Sequence, residues 1–159
     1  MPPRLSDYAS VGLAAAWRSW GRSPEPIGVY RGRVWPRYCD LNLHMNYGAY
    51  LEITELARLD WLVRTGLLRD WSARRWQAVV GSLDVQYRKE LKPLQAFEVE
   101  TRAVGFDRRA VVVEHLVRSA AGEHAALRLN VVVRRWGGGG VVDRAALEPT
   151  VTALLVSPS

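Results

Sequence analysis

The 159-residue chain has one cysteine, two lysines and no long hydrophobic run. Cys39 alone closes no intrachain disulfide, which fits a reducing compartment, and a cytoplasmic setting is the expectation. No apolar stretch approaches the ~20 residues a spanning helix needs, so no membrane span is expected. The nearest approach to a signal-peptide core, Val11-Gly12-Leu13-Ala14-Ala15-Ala16-Trp17, is short, with Asp7 just before it and Arg18 just after, which argues against secretion. Lys89 and Lys92 are the only lysines among 22 basic residues; against 16 acidic ones the net charge is +6. That sign suits an anionic partner (nucleic acid, an anionic membrane, a phosphate-bearing ligand) and equally an ordinary solvated surface. Gly137–Gly140 is followed by no Walker lysine and reads as a turn rather than a phosphate cradle. His44, His115 and His124, with a single cysteine, are too dispersed to argue for zinc, so no metal is expected. There is no internal repeat and no heptad.

What is present is a chain long enough for one core, 48% hydrophobic. Residues 1–27 read as an N-terminal extension. Ser6 or Ser10 caps a short helix through Trp20, with Leu13, Trp17 and Trp20 on one side, and Gly21 to Pro26 breaks it. The helix is expected to pack its aromatics on the outside of the domain; a lid or a dimer-covering helix is the alternative. Residues 28–159 read as a single domain. A strand over 28–37 ends or kinks at Pro36. After the loop 38–46, Tyr50, Ile53, Ala57, Trp61 and Thr65 keep helical spacing, and the helix is expected to run from Tyr47 to about Leu68, mostly buried and wrapped by a sheet. Residues 69–77 form a basic, aromatic connection. Interleaved arginine and tryptophan could stack bases, but tryptophans packed on the helix end are preferred, and no nucleic-acid partner is expected. Four segments of period two follow, around Val79–Tyr87, Phe97–Ala103, Val111–Val117 and Leu127–Arg134, with turns at Lys92-Pro93, Gly105–Asp107 and Ala121–Glu123. A short helix from about Asp143 to Val156 closes the chain. The plan is α+β: a five-stranded antiparallel sheet on one long helix.

Asp40, Asn42, His44 and Asn46 stand at even spacing where that helix begins. Open N–H groups and the positive dipole end there favour a developing negative charge. Asp40 can act as general base or nucleophile, or can simply brace a turn. His44 can orient the acid, bind a carbonyl oxygen or shuttle a proton. Asp40, His44 and Asn42 are the candidate catalytic residues, and Asn46, Tyr47 and Gly48 the candidate substrate-binding ones. Backbone N–H groups near Asn46, Tyr47 and Gly48 would take an oxyanion, and Gly48 would allow close approach to the backbone. Glu55 and Arg58 read first as a local ion pair, with Glu55 as a second acid the alternative. Arg88, Lys89, Arg108, Arg109, Arg134 and Arg135 are candidates for phosphate contacts. Cys39 reads as a buried thiol.

This order of elements, with Asp40-x-Asn42-x-His44-x-Asn46 leading into the helix, resembles the hotdog-fold acyl-CoA/acyl-ACP thioesterases of the 4-hydroxybenzoyl-CoA thioesterase-like superfamily. Asp40 to Arg58 is similar to their Asp-x-Asn-x-His-Val-Asn-Asn-x-x-Tyr-Leu-Glu motif, and Tyr87-Arg88-Lys89-Glu90-Leu91-Lys92-Pro93-Leu94 resembles the strand end before their turn. Tyr47 stands where the family has a second asparagine, and Leu43 where many members have glycine or a polar residue. The resemblance implies a hydrolase of acyl-CoA or acyl carrier protein thioesters, CoA or phosphopantetheine entering as part of the substrate with no further cofactor. It also implies a homodimer or a tetramer with sites at the subunit interface. The hotdog hydratases, with Asp-x-Asn-Pro-x-His, are the rival; here the Asp-to-His spacing is one residue shorter and the proline is absent. A non-catalytic acyl-binding protein is the third reading.

Overall fold

In the computed structural model, which describes residues 4–158, the Tyr47–Arg64 segment is an 18-residue helix, α2, packed against one face of the sheet. It is preceded by α1 (Leu5–Ser19) and β1 (Ile27–Arg33) and followed by α3 (Leu67–Ala73), β2 (Trp76–Tyr87), β3 (Ala96–Asp107), β4 (Ala110–Ser119), β5 (Gly122–Arg135) and α4 (Arg144–Val151). The five strands pair antiparallel in the order β1-β3-β4-β5-β2. This is the α+β arrangement the period-two segments and the long helix pointed to, and the hotdog fold the family resemblance implied.

Tyr50, Ile53, Ala57 and Trp61 of α2 bury against the inward side chains of the sheet, Val99, Val113, Val117, Leu127 and Leu129 among them. Trp61 crosses β1 at Gly28, where a Cβ would come within 3.0 Å of the indole. The indole N–H donates to Pro26 O at 3.0 Å and fixes the crossing.

Several boundaries differ from the sequence reading. The long helix ends at Arg64 rather than near Leu68, because Gly66 turns left-handed (φ +78°) and opens α3. The connection expected over 69–77 is therefore half helix. Its tryptophans do pack inward: Trp71 and Trp76 are buried, and Trp71 Nε1–H donates to Thr150 Oγ1 at 3.1 Å. β1 stops at Arg33, and Pro36–Tyr38 forms a 3-10 turn. Gly105-Phe106-Asp107 is not a turn but lies within β3, past a bulge; the chain reverses at Arg108-Arg109, with Arg108 at φ +51°. A second bulge at Gly81 flips β2, so that Val80 and Leu83, not Val79 and Leu83, lie on the same face as their buried β5 partners Val131 and Leu129. β2 is an exposed edge along most of its length, whereas β4 is buried on both faces from Ala110 to Val117.

α1 begins without the expected serine cap: Asp7 Oδ2 accepts Arg4 N–H at 2.9 Å instead. Arg18 reaches the buried Asp60 of α2 at 3.4 Å, and Arg64 holds the other oxygen of Asp60 at 3.4 Å. The expectation that Leu13, Trp17 and Trp20 pack on the domain is wrong. α1 seats its opposite side on α2, and these three stand in solvent.

Candidate active site

The motif loop is a tight reversal. Asp40 N–H donates to His44 O at 2.9 Å, Leu43 N–H to Asp40 O at 3.1 Å, and Cys39 bridges Met45. Leu43 closes the turn in the left-handed region (φ +57°), which explains why glycine suits that position in the motif. Asp40 Oδ1 accepts the N–H of Asn42 at 2.9 Å and faces that of His44 at 3.5 Å. So Asp40 does brace the turn, through one oxygen, and its carboxylate stays exposed at the cavity.

Asn46 N-caps α2, its Oδ1 accepting Ala49 N–H at 3.1 Å. A Cβ on Gly48 would crowd that oxygen at 3.2 Å, so glycine here protects the cap. One expected oxyanion donor is lost: Asn46 N–H is spent on Tyr38 O at 2.8 Å. The N–H groups of Tyr47 and Gly48, in the first turn, take no acceptor among the described residues.

Asp40, Asn42, His44, Asn46 and Tyr47 line one half-open cavity of about 290 Å³, together with Met45, Tyr50, Tyr87, Arg88, Lys89 and Glu90. Gly48 is the one candidate off that wall, one residue along from Tyr47. Tyr87 lies tilted against Tyr47 at 4.8 Å between ring centres and meets Tyr50 edge-on at 5.2 Å, walling the cavity with phenols. Burial pushes the Tyr50 hydroxyl up to about 12, so it stays a neutral donor.

Glu90 is the residue sequence reasoning missed. His44 Nε2 lies 3.3 Å from Glu90 Oε2. The two are far apart in sequence, and the only signal was a carboxylate just past a strand end. Glu90 is held from β5. Buried His124 accepts the N–H groups of Arg88 and Lys89 on its backbone oxygen, at 2.8 and 3.1 Å. Its Nδ1 lies 3.2 Å from Lys89 O, and its Nε2 lies 2.7 Å from Ser119 Oγ. A carbonyl only accepts, so Nδ1 carries the proton and Nε2 accepts the Ser119 hydroxyl. Gln95 Nε2–H then donates to Ser119 Oγ at 2.8 Å.

Of the six basic candidates for phosphate contacts, Arg88 and Lys89 alone line this cavity, Arg88 paired with Glu123. Glu55 does bear on Arg58, but it also takes the Tyr8 hydroxyl of α1, away from the cavity. Cys39 is half-buried and its thiol is pushed up by desolvation and by Asp40, an inert state.

The model of the thioesterase-like superfamily matches residues 34–149. Among curated proteins, Protein THEM6 of Danio rerio is 34% identical over 104 residues, 65% of this chain and 52% of its own length. The L-carnitine dehydrogenase/betainyl-CoA thioesterase of Agrobacterium fabrum is 26% identical over 69% of this chain and 24% of its own. The chain thus spans about half, or less, of the length of such relatives. Among solved structures, YbaW, a probable thioesterase from Escherichia coli, superposes with a TM-score of 0.75 at 16% identity, over 81% of this chain and 99% of that one. A Staphylococcus aureus protein solved in complex with CoA, SAV2348, does so with a TM-score of 0.72 at 13% identity, over 84% and 87%. With the family match covering most of the domain and the fold agreeing, the chain belongs to the thioesterase-like superfamily.

Proposed function

We propose that the protein hydrolyses acyl thioesters of CoA or of a phosphopantetheine carrier. One observation carries the reading: Asp40, the His44–Glu90 pair and the start of α2 meet at a single half-open cavity. The exposed oxygen of Asp40 takes a proton from water as the water oxygen bonds to the thioester carbon. The carbonyl oxygen gathers charge against the N–H groups of Tyr47 and Gly48 at the helix start. The C–S bond then breaks, and the thiolate leaves with a proton delivered through His44, which Glu90 orients. Direct attack by Asp40, through an anhydride that water then opens, uses the same carboxylate. Asn42 holds the turn and Asn46 the helix entry, so both position the reacting groups.

The CoA complex of SAV2348 and the betainyl-CoA activity in the name of the Agrobacterium relative support a CoA thioester, with Arg88 and Lys89 at the rim to meet its phosphates. The working unit in this reading is a homodimer. β2 leaves one edge unpaired, with Val79, Val80 and Leu83 exposed along it and its last residue, Tyr87, lining the cavity.

The test is colorimetric thiol release from short, long and aromatic acyl-CoAs, with enoyl-CoA hydration followed beside it. Thiol release supports the hydrolase. Hydration without release would assign the cavity to the hydratase reading, and binding without either to a non-catalytic acyl-binding protein.

A further inference from the structure

α1 carries an apolar stripe that the rest of the chain leaves uncovered. Leu5, Leu13, Trp17 and Trp20 recur at helical spacings and are 86%, 74%, 80% and 86% exposed. The helix beneath them is firmly seated. Ala15 is fully buried, Arg18 reaches Asp60 at 3.4 Å, Arg37 reaches Asp7 at 3.9 Å, and Tyr8 bonds to Glu55. The stripe therefore stands on a fixed support and belongs to the fold rather than to a frayed end.

Arg4 and Arg22 stand exposed at the two ends of the stripe, while Arg18 turns to Asp60 on the seated side. Carboxylates packed about α1 are engaged within the protein, among them Asp7 by Arg37 and the Arg4 N–H, Asp60 by Arg18 and Arg64, Glu25 by Arg64 and Glu55 by Tyr8, with Glu52 also close to Tyr8 and Arg37. A helix seated on one side, with tryptophans and leucines on the other and arginines at both ends, suits the boundary between lipid headgroups and acyl chains. Indoles settle there, and guanidinium groups meet phosphates. No helix among the described residues is long and apolar enough to cross a bilayer. A second copy of the chain is the competing occupant, but it would bring the same arginines together between two chains of net charge +6.

We infer that α1 docks the protein on an anionic lipid surface through Leu5, Leu13, Trp17 and Trp20. The Asp7–Arg37 contact ties the start of α1 to the Pro36–Tyr38 turn that leads into Asp40. Docking would thus hold the cavity near the surface into which long-chain acyl thioesters partition. That consequence for substrate rests on the proposed hydrolase; the docking does not.

The test is co-sedimentation of the full chain with vesicles of phosphatidylcholine alone and of phosphatidylcholine with about one-third phosphatidylglycerol. Tryptophan emission and sedimentation velocity are recorded in parallel, and no readout depends on turnover. The expected result is binding to the anionic vesicles with a blue-shifted emission and loss of binding in high salt. Combined Trp17→Ser and Trp20→Ser should weaken it roughly tenfold or more. Arg22→Ser, a surface change that spares the fold, should weaken it about fivefold. Failure of the wild type to bind anionic vesicles would overturn the inference. So would undiminished binding by both variants, or a Trp17/Trp20 variant that dissociates an oligomer while still binding vesicles, which would give the stripe to a second copy.

Discussion

His44 Nε2 and Glu90 Oε2 lie 3.3 Å apart, joining the motif loop to the segment that follows β2. This contact brings a residue from outside the motif to the motif loop; in the proposed hydrolysis Asp40 would serve the attacking side of the thioester and the His44–Glu90 pair the leaving group. If the two act as a unit, their substitutions are not additive. Glu90→Gln is expected to lower kcat about a hundredfold, and His44→Ala by a similar factor. The double variant should be little worse than either alone. Multiplying losses in steady-state kinetics would show that the pair does not act together.

Asn46 ties the loop to the helix, and its side-chain oxygen is an N-cap. Asn46→Ala should cost about 1 kcal/mol of stability, while Asn46→Asp, which keeps an acceptor, should cost far less. Urea titrations of the two variants check this. A large loss of activity with no change in stability would assign Asn46 to the substrate instead.

His115 is buried on the inner face of the sheet, its Nδ1 2.9 Å from Thr101 Oγ1. Burial, with the Arg58 charge nearby, pushes the imidazole down to about 3. In the unfolded chain a histidine titrates near ~6.5. Between those values the unfolded state holds the proton and the folded state does not. The contribution is therefore whole above ~6.5 and is lost as the pH falls toward 3. Burial pushes the Asp60 carboxyl up, with the opposite sign, so the informative quantity is a difference between proteins. His115→Gln should flatten the fall in stability across that window; an unchanged acid-unfolding profile would contradict the assignment.

β2 is the free edge proposed for dimer pairing, and Val79 sits on it with 40% of its surface exposed. Val79→Lys places like charges across such a pairing. Sedimentation velocity should then show a smaller species, with activity lost alongside. An unchanged sedimentation coefficient would move the interface elsewhere.

The sheet and the long helix were legible because period two and helical spacing are local patterns, and each segment carried its own. That Asp40, Asn42, His44, Asn46 and Tyr47 gather at one cavity was legible for the same reason, since they lie within one loop and one helix turn. Glu90 was not, because only the packing of the β2 end against His124 brings it to His44. The loss of the Asn46 N–H as an oxyanion donor was equally hidden, since its acceptor, Tyr38 O, depends on how the loop closes. The Gly81 bulge inverted the facing of Val79, and single-strand alternation carries no sign of a bulge. α1 was read as a helix with its apolar side turned the wrong way, because Arg18 and Tyr8, which seat it, find Asp60 and Glu55 only in the fold.

The most direct measurement is thiol release from the acyl-CoA panel by wild type and Asp40→Asn, with acyl-CoA affinity measured for both. Release by the wild type, a loss of about a hundredfold or more in the variant and unchanged affinity are the results predicted for a carboxylate acting on the thioester. Equal release by the two proteins would contradict the account and leave Asp40 as the brace of its turn.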